Sequence, residues 1–257
     1  MAEIAQIVTI PCLSDNYAFL LHDPDSGRTA LIDAPEAAPI LAELKARGWT
    51  LSDILITHHH YDHIDGVEAL RTATGARVWG AAADAARLPP LDHPLAEGDK
   101  VQIGGLTGTV IDVPGHTIGH IAFHFPQVHA VFTADSLMAL GCGRLFEGSP
   151  AQMWDSLQKL AALPDDTLVC SGHEYTASNA KFALSIEPRN PELISRVERI
   201  RQARSANIPT VPSTLAEELA TNPFLRADLE NLKAGIGMQG ESAKDVFAEI
   251  RVQKDRY

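Results

Sequence analysis

Over the first two-thirds of the chain, short runs of branched and aromatic residues alternate with amphipathic stretches of helical period. Ile4–Ile10, Tyr17–His22 and Thr29–Ile32 are β-rich and bounded by Pro, Asp or Gly, which predicts three strands. At Ala37–Arg47 the period changes, with Ile40, Leu41 and Leu44 on one helical face and Gly48 as the stop. Asp53–Thr57 predicts a short apolar strand, Val67–Thr74 a helix closed by Gly75, and Arg77–Trp79 a further strand. Lys100–Ile103, Thr107–Val113, Ile121–Phe125 and Ala130–Thr133 continue the β pattern. A helix over Ala151–Leu163, with Met153, Trp154, Leu157 and Leu160 inward, leads to a strand at Thr167–Cys170. Strands and helices mixed in this way predict a layered α/β domain.

After His173 the pattern is helical only, with candidates at Tyr175–Ile186, Pro191–Ala206, Thr214–Ala220 and Ser242–Lys254. Ser213 and Glu241-Ser242 offer N-cap chemistry to the last two. Charge changes at the same place. The net charge is −12, and residues 1–173, with 21 acidic and 9 basic side chains, account for all of it. Residues 174–257 carry 12 of each and balance. The expected division is therefore 1–173 and 174–257, the second a small helical domain.

At 257 residues the chain can bury a substantial core, and 45% apolar with 21% charged residues suits a folded enzyme. No apolar run is long enough to span a bilayer, and an acidic chain without a basic stripe makes a poor nucleic-acid binder. Met1–Ile10 has no basic residue and the first is Arg28, unlike a secretory or transit signal, so the expected location is the cytoplasm. Cys12, Cys142 and Cys170 form no C-x-x-C pair and are expected as buried, reduced thiols.

The segment that carries chemistry is Thr57-His58-His59-His60-Tyr61-Asp62-His63, immediately after a predicted strand. Residues two apart in extended chain point the same way, so His58 and His60 can hold one ion, and Asp62 and His63 follow once the chain turns. Later strand ends offer the same chemistry at Pro114-Gly115-His116, Ala134-Asp135 and Ser171-Gly172-His173. Four strand ends thus present seven ligand-type residues: His58, His60, Asp62, His63, His116, Asp135 and His173. Imidazole and carboxylate together suit zinc, iron or manganese. Asp33, at the end of an early strand, is a candidate to orient a ligand from behind. His22, His59, His93, His120, His124 and His129 are assigned to structural or supporting roles.

H-x-H-x-D-H followed by separated His, Asp and His resembles the metallo-β-lactamase superfamily, which implies a four-layer αββα sandwich. Three further matches resemble the glyoxalase II (hydroxyacylglutathione hydrolase) family within it: Cys12-Leu13-Ser14-Asp15-Asn16-Tyr17, Gly141-Cys142-Gly143-Arg144-Leu145-Phe146-Glu147-Gly148, and His173-Glu174-Tyr175-Thr176 with the C-terminal Arg251-x-x-Lys254-Asp255. The resemblance implies two divalent cations, zinc first and iron or manganese as alternatives. It places His58, His60 and His116 on one, Asp62, His63 and His173 on the other, and Asp135 on both. It implies substrate contacts at Arg144, Phe146, Tyr175, Arg251 and Lys254, with Phe146 lacking the hydroxyl of family members that carry Tyr there.

The implied reaction is hydrolysis of S-D-lactoylglutathione to glutathione and D-lactate, in methylglyoxal detoxification. A hydroxide shared by the two cations attacks, with Asp62 and Asp135 as the catalytic carboxylates. The implied partner is this small thioester, with no nucleic acid or membrane, and a monomer is expected. The rival readings are a mononuclear iron persulfide dioxygenase and another hydrolase of the same fold. The helical C-terminal region and Arg251-x-x-Lys254 count against the first.

Overall fold

The computed structural model describes residues 5–257. Their contacts divide into two units, one running to Asp112 and resuming over Gly119–Thr133, the other comprising Val113–Ile118 and Ala134–Tyr257.

In the first unit β1 (Gln6–Cys12), β2 (Asn16–Asp23) and β3 (Arg28–Ile32) form an antiparallel meander. Helix α1 (Ala37–Arg47) returns the chain to β4 (Thr50–Leu55), parallel to β3. A single turn, α2 (Tyr61–Ile64), and α3 (Val67–Thr74) lead to β5 (Arg77–Ala81), and β6 (His93–Leu95) completes a six-stranded sheet in order of sequence. Next, β7 (Lys100–Ile103), β8 (Leu106–Asp112), β9 (Ile121–Phe125) and β10 (Ala130–Ala134) form an antiparallel set.

All eight residues of β2 are buried, because both faces of the strand are covered. Ala18 and Leu20 join Ile40 and Leu44 of α1 and Val67 and Leu70 of α3 in one apolar cluster. Phe19 points the other way, with its ring 5.7 Å from that of Phe132 on β10. The unit is therefore stacked helix on sheet on sheet. Each large apolar side chain so buried contributes about 1.5–3 kcal/mol.

A charged residue ties three strands of the first sheet together. Asp53 on β4 is fully buried, and its carboxylate accepts from Arg28 Nη2 on β3 (2.8 Å), from Arg77 Nη2 (2.7 Å) and Trp79 Nε1 (2.9 Å) on β5, and from Ser52 Oγ (2.7 Å). Burial pushes its carboxyl up, but the hydrogen bonds from Ser52, Arg28 and Trp79 and the charge of Arg77 outweigh it and hold the group below the usual carboxylate range.

The second unit opens with a hairpin of β11 (Leu137–Met138) and β12 (Gly141–Cys142). Helix α4 (Pro150–Ala161) begins at a capping box of Ser149 and Gln152. β13 (Leu168–Ser171) pairs antiparallel with β14 (Ser213–Thr214). Between and after them lie α5 (Thr176–Ile186), α6 (Pro191–Ser205), α7 (Leu215–Thr221), α8 (Glu230–Gly235) and α9 (Ala243–Arg256). Val246, Phe247 and Ile250 bury one face of α9, and Phe247 lies 5.9 Å from Trp154 of α4.

Several expected boundaries shift, for local reasons. Ile4 lies outside the described residues. The strand expected at Asp53–Thr57 is β4, which starts at Thr50 and leaves the ladder at Leu55. The N-cap of α7 is Thr214, which forms a capping box with Glu217; Ser213 instead donates its hydroxyl to Glu218. Ser242 caps α9 as expected. Helix α8 and strands β6, β11, β12 and β14 have no counterpart in the expectation, being too short for periodicity to show. No helix among the described residues is long and apolar enough to cross a membrane.

Asp53→Ala is expected to cost about 2–3 kcal/mol at neutral pH, since it leaves the Trp79 indole and two guanidinium groups without their acceptor. A depressed carboxyl lends stability that is present above its unfolded pKa of about 3.9 and fades as pH falls through the lower folded value. Asp53→Asn should accordingly flatten the dependence of unfolding free energy on pH below about 4. Urea unfolding of both variants across pH checks this, and an unchanged acid slope in Asp53→Asn would refute it.

Candidate metal centre

The first unit orients its histidines through a relay. Beyond β4 the chain stays extended, with Ile56 N–H donating to Trp79 O (2.8 Å) and Thr57 O accepting from Ile121 N (2.9 Å). Asp33, buried and at φ 56°, accepts from Thr57 N (2.9 Å) and from Thr57 Oγ1 (2.8 Å). Having given its proton to Asp33, the Thr57 hydroxyl accepts from His58 Nδ1 at 3.0 Å. His63 Nδ1 lies 2.9 Å from Asp33 Oδ2 and donates to it, because a carboxylate only accepts. In both histidines Nε2 is therefore the nitrogen with the lone pair.

Helix α2 makes the turn that the sequence requires: His60 is its N-cap residue, and Asp62 and His63 lie on it. The imidazole of His58 stands 4.8 Å from that of His60 and 4.2 Å from that of His63, and stacks on His120 at 4.6 Å. His63 Nε2 is 3.7 Å from Asp62 Oδ2. Asn16 holds Asp62 by donating Nδ2 to its carbonyl and to Oδ2, both at 3.0 Å. His59 turns towards Asp84, with Nδ1 3.0 Å from Oδ2.

The second unit brings together the other three expected ligands. His116 donates Nδ1–H to the carbonyl of Arg144 at 2.7 Å, which leaves Nε2 with its lone pair. That atom lies 3.4 Å from Asp135 Oδ2, and His173 Nε2 lies 3.3 Å from the same oxygen. These separations are long for a hydrogen bond to a carboxylate. They match the edge of a tetrahedron with metal–ligand bonds of about 2.0–2.1 Å, about 3.3 Å. All three residues are buried. In the first unit Asp33, His58 and His63 cluster, with nitrogen and oxygen atoms within 4.8 Å of one another, and Asp33 holds the two rings from behind. The donor set, oriented imidazole nitrogens and carboxylate oxygens, fits a divalent cation.

Two family models divide the chain between them: the metallo-beta-lactamase superfamily over residues 14–173 and the hydroxyacylglutathione hydrolase C-terminus over residues 174–257. A hydroxyacylglutathione hydrolase of Jannaschia sp. (strain CCS1) is 72% identical, covering 98% of each chain. The chain belongs to the hydroxyacylglutathione hydrolase family. Its metallo-beta-lactamase fold is shared with ETHE1 from Myxococcus xanthus (TM-score 0.69, 27% identity, 97% of this chain and 90% of that one). It is shared too with TTHA1623 in a di-iron-bound form (TM-score 0.62, 26% identity, 86% of this chain and 100% of that one).

In this family member the five expected substrate contacts all lie in the second unit, in two settings. Arg144, Phe146 and Tyr175 are exposed. Phe146 sets its ring edge-on to His116 at 5.3 Å, and Tyr175 stacks parallel on His173 at 4.6 Å. Arg251 is buried, donating Nη1 to the Cys142 carbonyl (3.1 Å) and Nη2 to Asp255 Oδ1 (2.7 Å). Arg144 Nε lies 3.6 Å from that same Asp255 oxygen. Lys254 is half-buried, with Nζ 5.2 Å from the Phe182 ring centroid; burial, with Arg251 nearby, pushes its ammonium below the usual lysine range. A glycine links the loop to the ligands: a Cβ at Gly143 would collide with the Asp135 carbonyl and lie 2.9 Å from His116 Nδ1. The cysteines are free and buried as expected, and burial with the nearby Glu36 charge pushes Cys12 up to about 12.

Sequence reasoning missed Asn16, Thr57, Asp84 and the stacking role of His120. Only Asn16 left a trace, inside the opening motif, with nothing to tie it to Asp62.

Outer carboxylates that fix a ligand ring are worth about 10–100-fold in metal affinity. Asp33→Ala should weaken binding by that factor while the fold persists. Competition against a chromophoric chelator measures it, and wild-type affinity in the variant would remove Asp33 from the site.

Proposed function

We propose that this chain hydrolyses S-D-lactoylglutathione and related 2-hydroxyacylglutathione thioesters to glutathione and the free 2-hydroxy acid. The observation that carries the reading is Asp135 Oδ2 between two histidine nitrogens, at 3.4 and 3.3 Å, with the rings of Phe146 and Tyr175 against those same histidines. The relatives' name, at up to 72% identity over the full length among those compared, supplies the substrate class. In the proposed division of labour, residues 1–173 supply the catalytic ligands and 174–257 the support for substrate.

His58, His60 and His116 are assigned to one divalent cation, Asp62, His63 and His173 to a second, and Asp135 to both. Zinc is the expected ion, and iron or manganese suit the same donors. The di-iron form of TTHA1623 supports a count of two. Divalent cations, when bound, lower the pKa of water from about 15.7 towards 7 and polarise a carbonyl oxygen. Asp62 and Asp135 are held in place for this chemistry, the first by Asn16. The thiolate is a good leaving group, so no side chain need protonate it as it departs.

The tripeptide carries two carboxylates and one ammonium. Arg144 and Lys254 offer it counter-charge, and Arg251 serves by holding the Cys142 carbonyl and Asp255, which shapes the loop. Phe146 and Tyr175 present apolar faces beside the reacting centre. A monomer acting on a small molecule in the cytoplasm is the proposed setting. Glutathione stays a thiol where the compartment is reducing, and the three buried free cysteines suit that.

Asp135→Ala should lose both ions and nearly all kcat. Arg144→Ala should instead raise KM for S-D-lactoylglutathione by roughly 10-fold with little change in kcat, since this contact is equal in ground and transition states. That figure takes the low end for a charged hydrogen bond, because Arg144 is exposed and screened. A short thioester lacking the tripeptide should not notice the change. Equal losses on both substrates would mean that Arg144 supports the metal site rather than glutathione, and one tightly held ion with full activity would sink the two-cation assignment.

A further inference from the structure

The turn between β11 and β12 is made of residues that do not favour it. Its two central positions are Ala139 and Leu140, and Leu140 stands at φ 56°, in the left-handed region that disfavours any residue with a Cβ. Two-residue hairpin turns ordinarily use Asn-Gly or a glycine pair. Here side chains from two helices supply what the turn lacks. Leu140 N–H donates to Glu218 Oε2 at 2.8 Å. Asn179 of α5 donates Nδ2 to the Ala139 carbonyl at 3.1 Å. Asn222, just past α7, donates Nδ2 to the carbonyls of Met138 (3.1 Å) and Gly141 (3.0 Å). Glu218 and Asn222 are fully buried, and Glu218 also accepts from Arg196, Ser213 and Asn222. Gly141 is demanded by this packing, since a Cβ there would lie 2.5 Å from Asn179 Nδ2.

The two ends of the hairpin explain why such a cage is maintained. Asp135 comes two residues before β11, and Gly143 and Arg144 follow β12 directly. The Gly143 N–H closes the pair by donating to the Ser136 carbonyl at 3.1 Å. An unfavoured conformation persists only where its surroundings over-determine it, and such positions cluster at functional sites. We propose that Asn179, Asn222 and Glu218 are positioning residues for the reaction. They hold the turn so that the Asp135 carboxylate and the loop carrying Arg144 keep one fixed spacing, which makes the C-terminal helices part of the metal site. The inference rests on the roles proposed above for Asp135 and Arg144.

Asn179→Ala and Asn222→Ala are to be compared with Leu232→Ala, a truncation of a buried residue in α8, outside the hairpin and the three caging side chains, that is expected to lower Tm. The cage variants are expected to lose kcat by about 10- to 100-fold, as for a misplacement of about 1 Å. They should also retain fewer ions per chain after dialysis against a fixed chelator concentration. Leu232→Ala should keep wild-type values of both when assayed well below its Tm. Gly141→Ala should fail as the cage variants do. Combined with Asn179→Ala it should cost nothing further, because the truncated side chain clears the space. Cage variants that lose Tm but keep wild-type ion retention and kcat overturn the proposal, and so does a strictly additive double variant. Ion retention decides the matter even if the wild-type chain fails to turn over S-D-lactoylglutathione, a result that overturns the substrate reading alone.

Discussion

The buried carboxylate of Asp33 accepts three hydrogen bonds, from the Thr57 amide, the Thr57 hydroxyl and the His63 ring, and the orientation of the first unit's histidines depends on them. A metal site needs several lone pairs aimed at one point, and lone pairs repel in the absence of a cation. Each ring must therefore be held from behind by its other nitrogen. Asp33 does this directly for His63 and through the Thr57 hydroxyl for His58. Its own N–H donates to Leu55 O at the end of β4, so the orienting group is fastened to the strand whose ligands it aims. The left-handed backbone at Asp33 belongs to that arrangement.

The second unit solves the same problem with a different acceptor. His116 is held by the carbonyl of Arg144, and the Arg144 side chain points to solvent. One residue thus holds the candidate ligand through its backbone and leaves its side chain exposed. The glycine at 143 is the steric condition for that approach. Movement of the loop cannot be independent of the ligand ring. Arg251, bound to the Cys142 carbonyl and to Asp255, extends the linkage to the last helix.

Fold alone does not separate the chemistries that share this architecture, since solved structures at 24–27% identity include a B3 metallo-beta-lactamase and ETHE1. The distinguishing parts of this chain are the Gly141–Gly148 loop and the helices after residue 173. Both lie in the second unit, as do all five residues expected from the sequence to contact substrate.

Much of this was legible along the sequence. Helices α1 and α3 and strands β7 and β9 have the bounds that periodicity predicts, because alternation and helical spacing directly report which face is covered. The H-x-H-x-D-H segment was legible for the same reason, since ligand types and spacing are one-dimensional properties. Periodicity cannot show a two-residue strand such as β11, nor a buried charge such as Asp53, whose burial follows from partners on neighbouring strands. Nor can it show that Asn16 meets Asp62 across 46 residues, or that the Arg251 guanidinium turns inward. The sequence by itself determined which residues have the chemistry to bind metal and which stretches form the sheets and long helices. Tertiary structure decided which nitrogen of each ring is left with its lone pair and which cations remain exposed. Those depend on hydrogen bonds between distant residues, whose geometry exists only once the chain has folded.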